Sequence, residues 1–97
     1  MSDVMVVAGA RTAIGDYGGA FKDVPATRLG AIAIRDALAR ARVDPASVGH
    51  VVMGSVIHGE ARDMYLSRVA AVDAGIPVST PALTVNRLCG SGLQAIV

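Results

Sequence analysis

Apolar runs that favour β-strands alternate along this chain with segments of helical periodicity. The β-favouring runs cover residues 4–8, 51–57 and 82–86. Between them, residues 27–41 place apolar side chains at helical spacing with arginines on the opposite face, and residues 65–74 repeat this pattern over a shorter stretch. Continuous apolar runs are typical of parallel strands, which crossover helices connect. The sequence therefore predicts an α/β fold, layered α-β-α, with a mostly parallel sheet.

A glycine-rich segment separates the first apolar run from the first helix. Gly15, Gly18 and Gly19 lie within residues 11–24, where no periodicity is sustained. Their spacing fits neither the G-x-G-x-x-G fingerprint nor the Walker pattern of phosphate-binding loops. We therefore predict turns in this segment.

The composition favours a packed domain without a nucleic-acid or membrane partner. With 53% hydrophobic and 18% charged residues, the chain has enough apolar surface to form a core. The formal net charge is +1 and the basic residues are scattered, so no basic patch for nucleic acid is predicted. No apolar run approaches the roughly 20 residues of a membrane helix, and no basic leader precedes the first run. We expect a cytoplasmic protein.

Cys89 is the strongest candidate for a chemically reactive side chain in this sequence. It is the only cysteine and there are two histidines, so neither an internal disulfide nor a structural zinc site is predicted. Cys89 follows the third apolar run and precedes a new helical pattern, a position where open α/β sheets bind ligands. The N-terminus of a helix stabilises a thiolate, the nucleophilic form of cysteine. Position alone leaves two interpretations, a catalytic nucleophile or a small buried apolar residue.

Two segments carry a resemblance to a known family. The run VNRLCGSGLQA, from Val85 to Ala95, resembles the active-site cysteine segment of thiolases. The run VVAGARTAIG, from Val6 to Gly15, is similar to a thiolase N-terminus. The resemblance implies a thiolase-like fold, of which residues 1–97 would be the first part of the N-terminal half, ending within a helix.

The resemblance also implies an activity. Cys89 would be the nucleophile that carries an acyl group during thiolytic cleavage of a 3-ketoacyl-CoA or the reverse Claisen condensation. Its backbone N–H would stabilise the thioester oxyanion. Coenzyme A and acyl-CoA would be substrates, with no permanently bound cofactor and no metal. The resemblance assigns no CoA-binding residue, general-base histidine or second cysteine to this chain.

The resemblance further implies a homodimer or homotetramer, with the segment from Ser79 to Arg87 near the dimer interface. The segment from Glu60 to Arg68 differs from that of acetoacetyl-type thiolases and is similar to that of broad-range 3-ketothiolases.

Three alternatives remain open at the level of sequence. The chain could belong to a condensing enzyme of the ketoacyl-synthase type, or it could be an inert fragment of a larger enzyme. His58 follows the second apolar run at the same predicted sheet edge as Cys89, so a Cys–His pair is also conceivable.

Overall fold

The structure is a computed structural model that describes residues 2–97. Three α-helices and two β-strands form its regular elements: α1 (Ala26–Ala41), β1 (Val51–Gly54), α2 (Leu66–Asp73), β2 (Ala82–Val85) and α3 (Ser91–Ile96). Short 3₁₀ turns at Pro45–Ser47 and Ala61–Tyr65 precede β1 and α2. No helix within residues 2–97 is long and apolar enough to cross a membrane.

The two strands form a parallel sheet. Val51 pairs with Ala82 and Gly54 pairs with Val85 at the ends of the ladder, and α2 provides the crossover. This arrangement confirms the second and third predicted strands, although β1 stops at Gly54, earlier than the apolar run that extends to residue 57. Because the strands are parallel, the loops after β1 and β2 leave from the same edge of the sheet.

Helix α1 packs closely on both α2 and β1 at Gly30. A Cβ built on Gly30 would lie 3.0 Å from the Met53 Cε and 3.2 Å from the Ala70 Cβ. With a side chain at residue 30, Met53 and Ala70 would have to give way by a few tenths of an ångström. After Ala41, Arg42 adopts a left-handed conformation (φ 56°), and the Val43 N–H donates to the Leu38 carbonyl to end the helix.

Helix α2 is held to both strands by a buried serine. Ser67 is fully buried; its Oγ donates to the Val51 carbonyl at 3.0 Å, and its N–H donates to the Thr84 Oγ1 at 3.0 Å. Gly75 follows α2 with a left-handed φ of 91°, a conformation that glycine adopts readily just beyond the end of a helix.

The core lies between the helices and the sheet. It is formed by small and branched aliphatic side chains: Val51, Ala71 and Ile76, with Ile34, Leu38, Val48, Met53 and Ala82 packed against them.

The predicted strand at residues 4–8 is wrong. These residues form no strand, and the Val4 and Val6 side chains are 97% and 87% exposed. One hydrogen bond, from the Arg40 guanidinium to the Gly9 carbonyl, ties this segment to α1. A strand is stable only when a neighbour pairs with its backbone, and no other part of residues 2–97 pairs with this run. The glycine-rich segment does form turns, with Gly18 at φ 69°.

Candidate active site at Cys89

Cys89 lies in a tight turn that connects β2 to α3. Its thiol is free and exposed, so it is not buried among apolar side chains. The turn begins directly after β2 and ends at Ser91, the first residue of α3. The nucleophile candidate therefore stands at the sheet edge that sequence reasoning predicted for it.

The turn bends sharply at Leu88, where the backbone is left-handed. This residue has φ 49°, in the left-handed region that costs a residue with a Cβ about 1–2 kcal/mol. Its N–H donates to the Asn86 Oδ1 at 2.9 Å. Local hydrogen bonds thus hold the residue before Cys89 in a conformation that leucine rarely adopts alone.

Ser91 closes the turn from the helix side. It is buried, and its Oγ accepts a hydrogen bond from the Arg87 N–H at 2.7 Å while donating to the Leu88 carbonyl at 2.8 Å. The Gly90 and Ser91 N–H groups also donate back, to the Arg87 and Leu88 carbonyls. The backbone on both sides of Cys89 is therefore fixed by hydrogen bonds.

Strand β1 sets the position of this turn through a very close contact. A Cβ built on Gly54 would lie 2.8 Å from the Ser91 carbonyl carbon and 2.9 Å from its Cβ, too short for any side chain. The start of α3 thus rests directly on the end of β1, which only glycine allows.

Asn86 links the two loops that leave this edge of the sheet. Its Nδ2 donates to the Val56 carbonyl at 3.3 Å, while its Oδ1 holds Leu88. On the other side of the turn, the Arg87 guanidinium donates to the Gln94 Oε1 at 2.9 Å.

The turn presents two groups suited to acyl chemistry. One is the exposed thiol of Cys89. The other is the Cys89 backbone N–H, which donates to no group within residues 2–97. A thiolate can attack a thioester or ketone carbonyl, and a free N–H beside it can stabilise the resulting oxyanion. A Cβ built on Gly92 would meet nothing within 4 Å, so the approach from α3 is open.

The structure does not form the conceivable Cys–His pair. His58 is exposed in the loop after β1, and neither His58 nor His50 makes a side-chain hydrogen bond within residues 2–97. In that part of the chain no group of three His, Cys, Asp or Glu residues is placed to hold a metal ion.

A comparison of this sequence with models of protein families gives one match. The model described as the N-terminal domain of thiolase matches residues 4–97. The chain belongs to the thiolase family. Its parallel strands and helices are therefore a portion of the thiolase fold.

Named relatives support this membership. The thiolase chain is 64% identical over 95 residues to the beta-ketothiolase BktB of Cupriavidus necator and 46% identical over 98 residues to an acetyl-CoA acetyltransferase of the same organism. It is 49% identical over 94 residues to the human mitochondrial 3-ketoacyl-CoA thiolase. These alignments cover 98%, 100% and 97% of the chain, and 24% of each relative. The chain thus spans about a quarter of the length of the curated relatives that it matches.

A solved structure agrees with the fold. The crystal structure of human mitochondrial 3-ketoacyl-CoA thiolase in complex with CoA superimposes with a TM-score of 0.89 at 48% identity, over 93% of this chain and 23% of that one. The fold of the described residues is therefore that of a portion of a solved thiolase.

Sequence reasoning identified Cys89 but missed the residues that position it. Asn86, Leu88 and Ser91 shape the thiolase turn, and Gly54 supports it from β1. An available signal was the asparagine two residues before a leucine at the end of a strand, because Asn side chains often bond the backbone two residues on. No local signal marked Gly54, whose importance comes from a contact with a residue far along the chain.

Proposed function

We propose that this chain is the first, nucleophile-bearing part of a CoA-dependent acyltransferase of the 3-ketoacyl-CoA thiolase type. In this proposal Cys89 carries the acyl group as a thioester. The residues would form the initial portion of the N-terminal domain, and the groups that move protons would lie in other parts of the enzyme.

The observation that carries this proposal is the exposed thiol of Cys89 in a turn that hydrogen bonds hold rigid. An inert cysteine is most often buried among apolar side chains, whereas this one faces solvent at the carboxyl edge of a parallel sheet. The relatives named as thiolases and acyltransferases support the same interpretation.

The proposed reaction has two covalent steps. First, the Cys89 thiolate attacks the 3-keto carbonyl carbon; the bond between carbons 2 and 3 breaks, carbon 2 takes a proton, and acetyl-CoA leaves. Second, the thiolate of free CoA attacks the acyl carbon, the bond to the Cys89 sulfur breaks, and a shortened acyl-CoA leaves. The Cys89 N–H would stabilise the oxyanion in both steps. Claisen condensation is the same sequence reversed.

The substrate class of the proposal is acyl-CoA. The structural relative was solved in complex with CoA, and two of the relatives are named for 3-ketoacyl or beta-keto substrates. CoA serves here as a substrate and leaving group. The sequence identity to the beta-ketothiolase is higher than that to the acetyl-CoA acetyltransferase of the same organism. This difference supports a substrate range that extends beyond acetoacetyl-CoA.

The proposal includes assembly into a homodimer or homotetramer, with the segment from Ser79 to Arg87 near the dimer interface. Within this segment Leu83 on β2 is half exposed, so its side chain is available to a neighbouring surface.

Acylation of Cys89 tests the proposed function. We expect the intact protein that contains this sequence to gain one acetyl group on incubation with acetyl-CoA, detected by intact mass and located on Cys89 by peptide mapping. Added CoA should remove the label, because the second step consumes the thioester. The control is Cys89→Ser, which keeps the shape of the turn but lacks the thiol.

Absence of label on Cys89, with the protein folded and Cys89 reactive toward a thiol reagent, would contradict the proposal. The isolated 97-residue chain, tested in the same way, decides whether this piece acylates without the rest of the enzyme.

A further inference from the structure

The peptide group between Leu88 and Cys89 joins a well-bonded carbonyl to a free N–H. The carbonyl belongs to Leu88, and the N–H belongs to Cys89 and donates to no group within residues 2–97. The peptide group is planar and trans, so its carbonyl and its N–H point in opposite directions. Any contact that fixes the direction of the Leu88 carbonyl therefore also fixes the direction of the Cys89 N–H.

Ser91 binds this carbonyl twice. Its Oγ donates to the Leu88 carbonyl oxygen at 2.8 Å, and its backbone N–H donates to the same oxygen at 3.1 Å. A carbonyl oxygen has two lone pairs and can accept both. Rotation of the peptide plane between Leu88 and Cys89 would break both hydrogen bonds, so together they resist it.

The hydroxyl of Ser91 is itself held in one orientation. The residue is buried, and its Oγ accepts a hydrogen bond from the Arg87 N–H at 2.7 Å while it donates to Leu88. A chain of hydrogen bonds thus runs from Arg87 through Ser91 to the peptide group that carries the Cys89 N–H. Hydrogen bonds in such a chain polarise one another, which makes the N–H at its end a stronger donor.

Strand β1 gives Ser91 a fixed position. A Cβ built on Gly54 would lie 2.9 Å from the Ser91 Cβ, so the end of the strand lies directly against this residue. The sheet therefore places Ser91, and Ser91 places the carbonyl that opposes the Cys89 N–H.

We propose that Ser91 is a positioning residue, whose hydroxyl orients and strengthens the Cys89 N–H as the donor to the oxyanion. This inference rests on the proposed function. When the Cys89 thiolate attacks the carbonyl of acetyl-CoA, a carbon–sulfur bond to Cys89 forms and negative charge develops on the carbonyl oxygen. The carbon–sulfur bond to CoA then breaks, and CoA leaves as a thiolate. The N–H contributes most while the oxygen carries this charge, so the hydroxyl of Ser91 affects the rate of the step more than the binding of acetyl-CoA.

Ser91→Ala in the intact protein tests this role. The substitution removes the hydroxyl but keeps the backbone N–H of residue 91, so the Leu88 carbonyl loses one of its two hydrogen bonds. The matched control is Ser67→Ala in α2. It removes another buried hydroxyl that donates to a backbone carbonyl, that of Val51 at 3.0 Å, without touching the turn.

The first measurement is the rate of Cys89 acetylation as a function of acetyl-CoA concentration. The second is the rate of Cys89 alkylation by iodoacetamide, which uses the same thiolate but forms no oxyanion. For Ser91→Ala we expect the maximal acetylation rate to fall about tenfold relative to Ser67→Ala, less than the roughly 100- to 1000-fold loss when a whole oxyanion donor is removed. The half-saturating acetyl-CoA concentration and the alkylation rate should equal those of Ser67→Ala.

The proposal is overturned if the maximal acetylation rate of Ser91→Ala equals that of Ser67→Ala, or if alkylation slows by the same factor as acetylation. Should Ser91→Ala fail to fold, a crystal structure of the acetylated wild type decides. An acetyl oxygen within hydrogen-bond distance of the Cys89 nitrogen, with the Ser91 Oγ still bound to the Leu88 carbonyl, supports the proposal. Any other position of the acetyl oxygen overturns it.

The two proposals fail in distinguishable ways. A wild type that is never acetylated contradicts the proposed function and this role of Ser91 with it. A wild type that is acetylated, with Ser91→Ala equally fast, contradicts the role of Ser91 alone.

Discussion

At the scale of single residues, the turn before Cys89 depends on a leucine in an unfavourable conformation. Leu88 has φ 49° and is 68% exposed, so burial of its side chain offsets little of the free-energy cost of the left-handed conformation. The hydrogen bonds from Asn86 and Ser91 offset it instead. Sequence reasoning could predict that Cys89 lies between a strand and a helix, but not this backbone conformation, because leucine gives no indication of it.

Substitution of Leu88 measures this strain. We expect Leu88→Val to lower the free energy of unfolding by about 1 kcal/mol, since a β-branched side chain fits the left-handed region poorly. Leu88→Asn should not lower it, because asparagine tolerates this region. Urea unfolding followed by circular dichroism measures both. Leu93→Val is the matched control, a leucine of equal exposure (69%) in α3. Equal stabilities for Leu88→Val and Leu93→Val would argue against strain at this residue.

At the scale of elements, the helices and both strands follow from hydrophobic periodicity. Helix α1, helix α2 and strand β2 agree with the predicted segments 27–41, 65–74 and 82–86 to within one residue at each end. The contact between β1 and α3 does not follow from any local pattern. It joins Gly54 to Ser91, and only the folded chain brings these two residues together.

Gly54→Ala tests whether this contact positions Cys89. The added methyl group would overlap the Ser91 backbone, so we expect a loss of about 1–3 kcal/mol in the free energy of unfolding. The rate of Cys89 acylation by acetyl-CoA should also fall, because the turn must move with Ser91. Gly49→Ala is the control, since a Cβ there meets nothing within 4 Å. Acylation of Gly54→Ala at the wild-type rate would show that the contact does not position Cys89.

At the scale of the whole molecule, the chain leaves much apolar surface exposed. The run at residues 4–8 has the composition of a buried strand but lies in the open, since strand formation depends on a pairing partner as well as on propensity. Leu83 on β2 is 50% exposed in the same way. The sequence therefore shows which segments are apolar. Whether such a segment is buried depends on whether another element of the chain packs against it.

Leu83→Asp tests the proposed interface in the intact protein. If the segment from Ser79 to Arg87 meets a second subunit, burying a charge there should raise the dimer dissociation constant at least about tenfold, roughly 1.4 kcal/mol. Sedimentation velocity over a range of concentrations measures this constant. Ile32→Asp, on the exposed face of α1 at 43% exposure, is the control. An unchanged dissociation constant for Leu83→Asp would remove this segment from the interface.

The two hydrogen bonds of Asn86 make the site sensitive to a change of that one amide group. Asn86 is exposed and its side-chain amide makes two hydrogen bonds. The Oδ1 accepts from the Leu88 N–H, and the Nδ2 donates to the Val56 carbonyl. An aspartate at residue 86 would keep an oxygen for the Leu88 N–H but lose the donor to the Val56 carbonyl. A molecule with this one change would therefore keep the hydrogen bond that shapes the turn before Cys89 while the loop after β1 loses its hydrogen bond to residue 86.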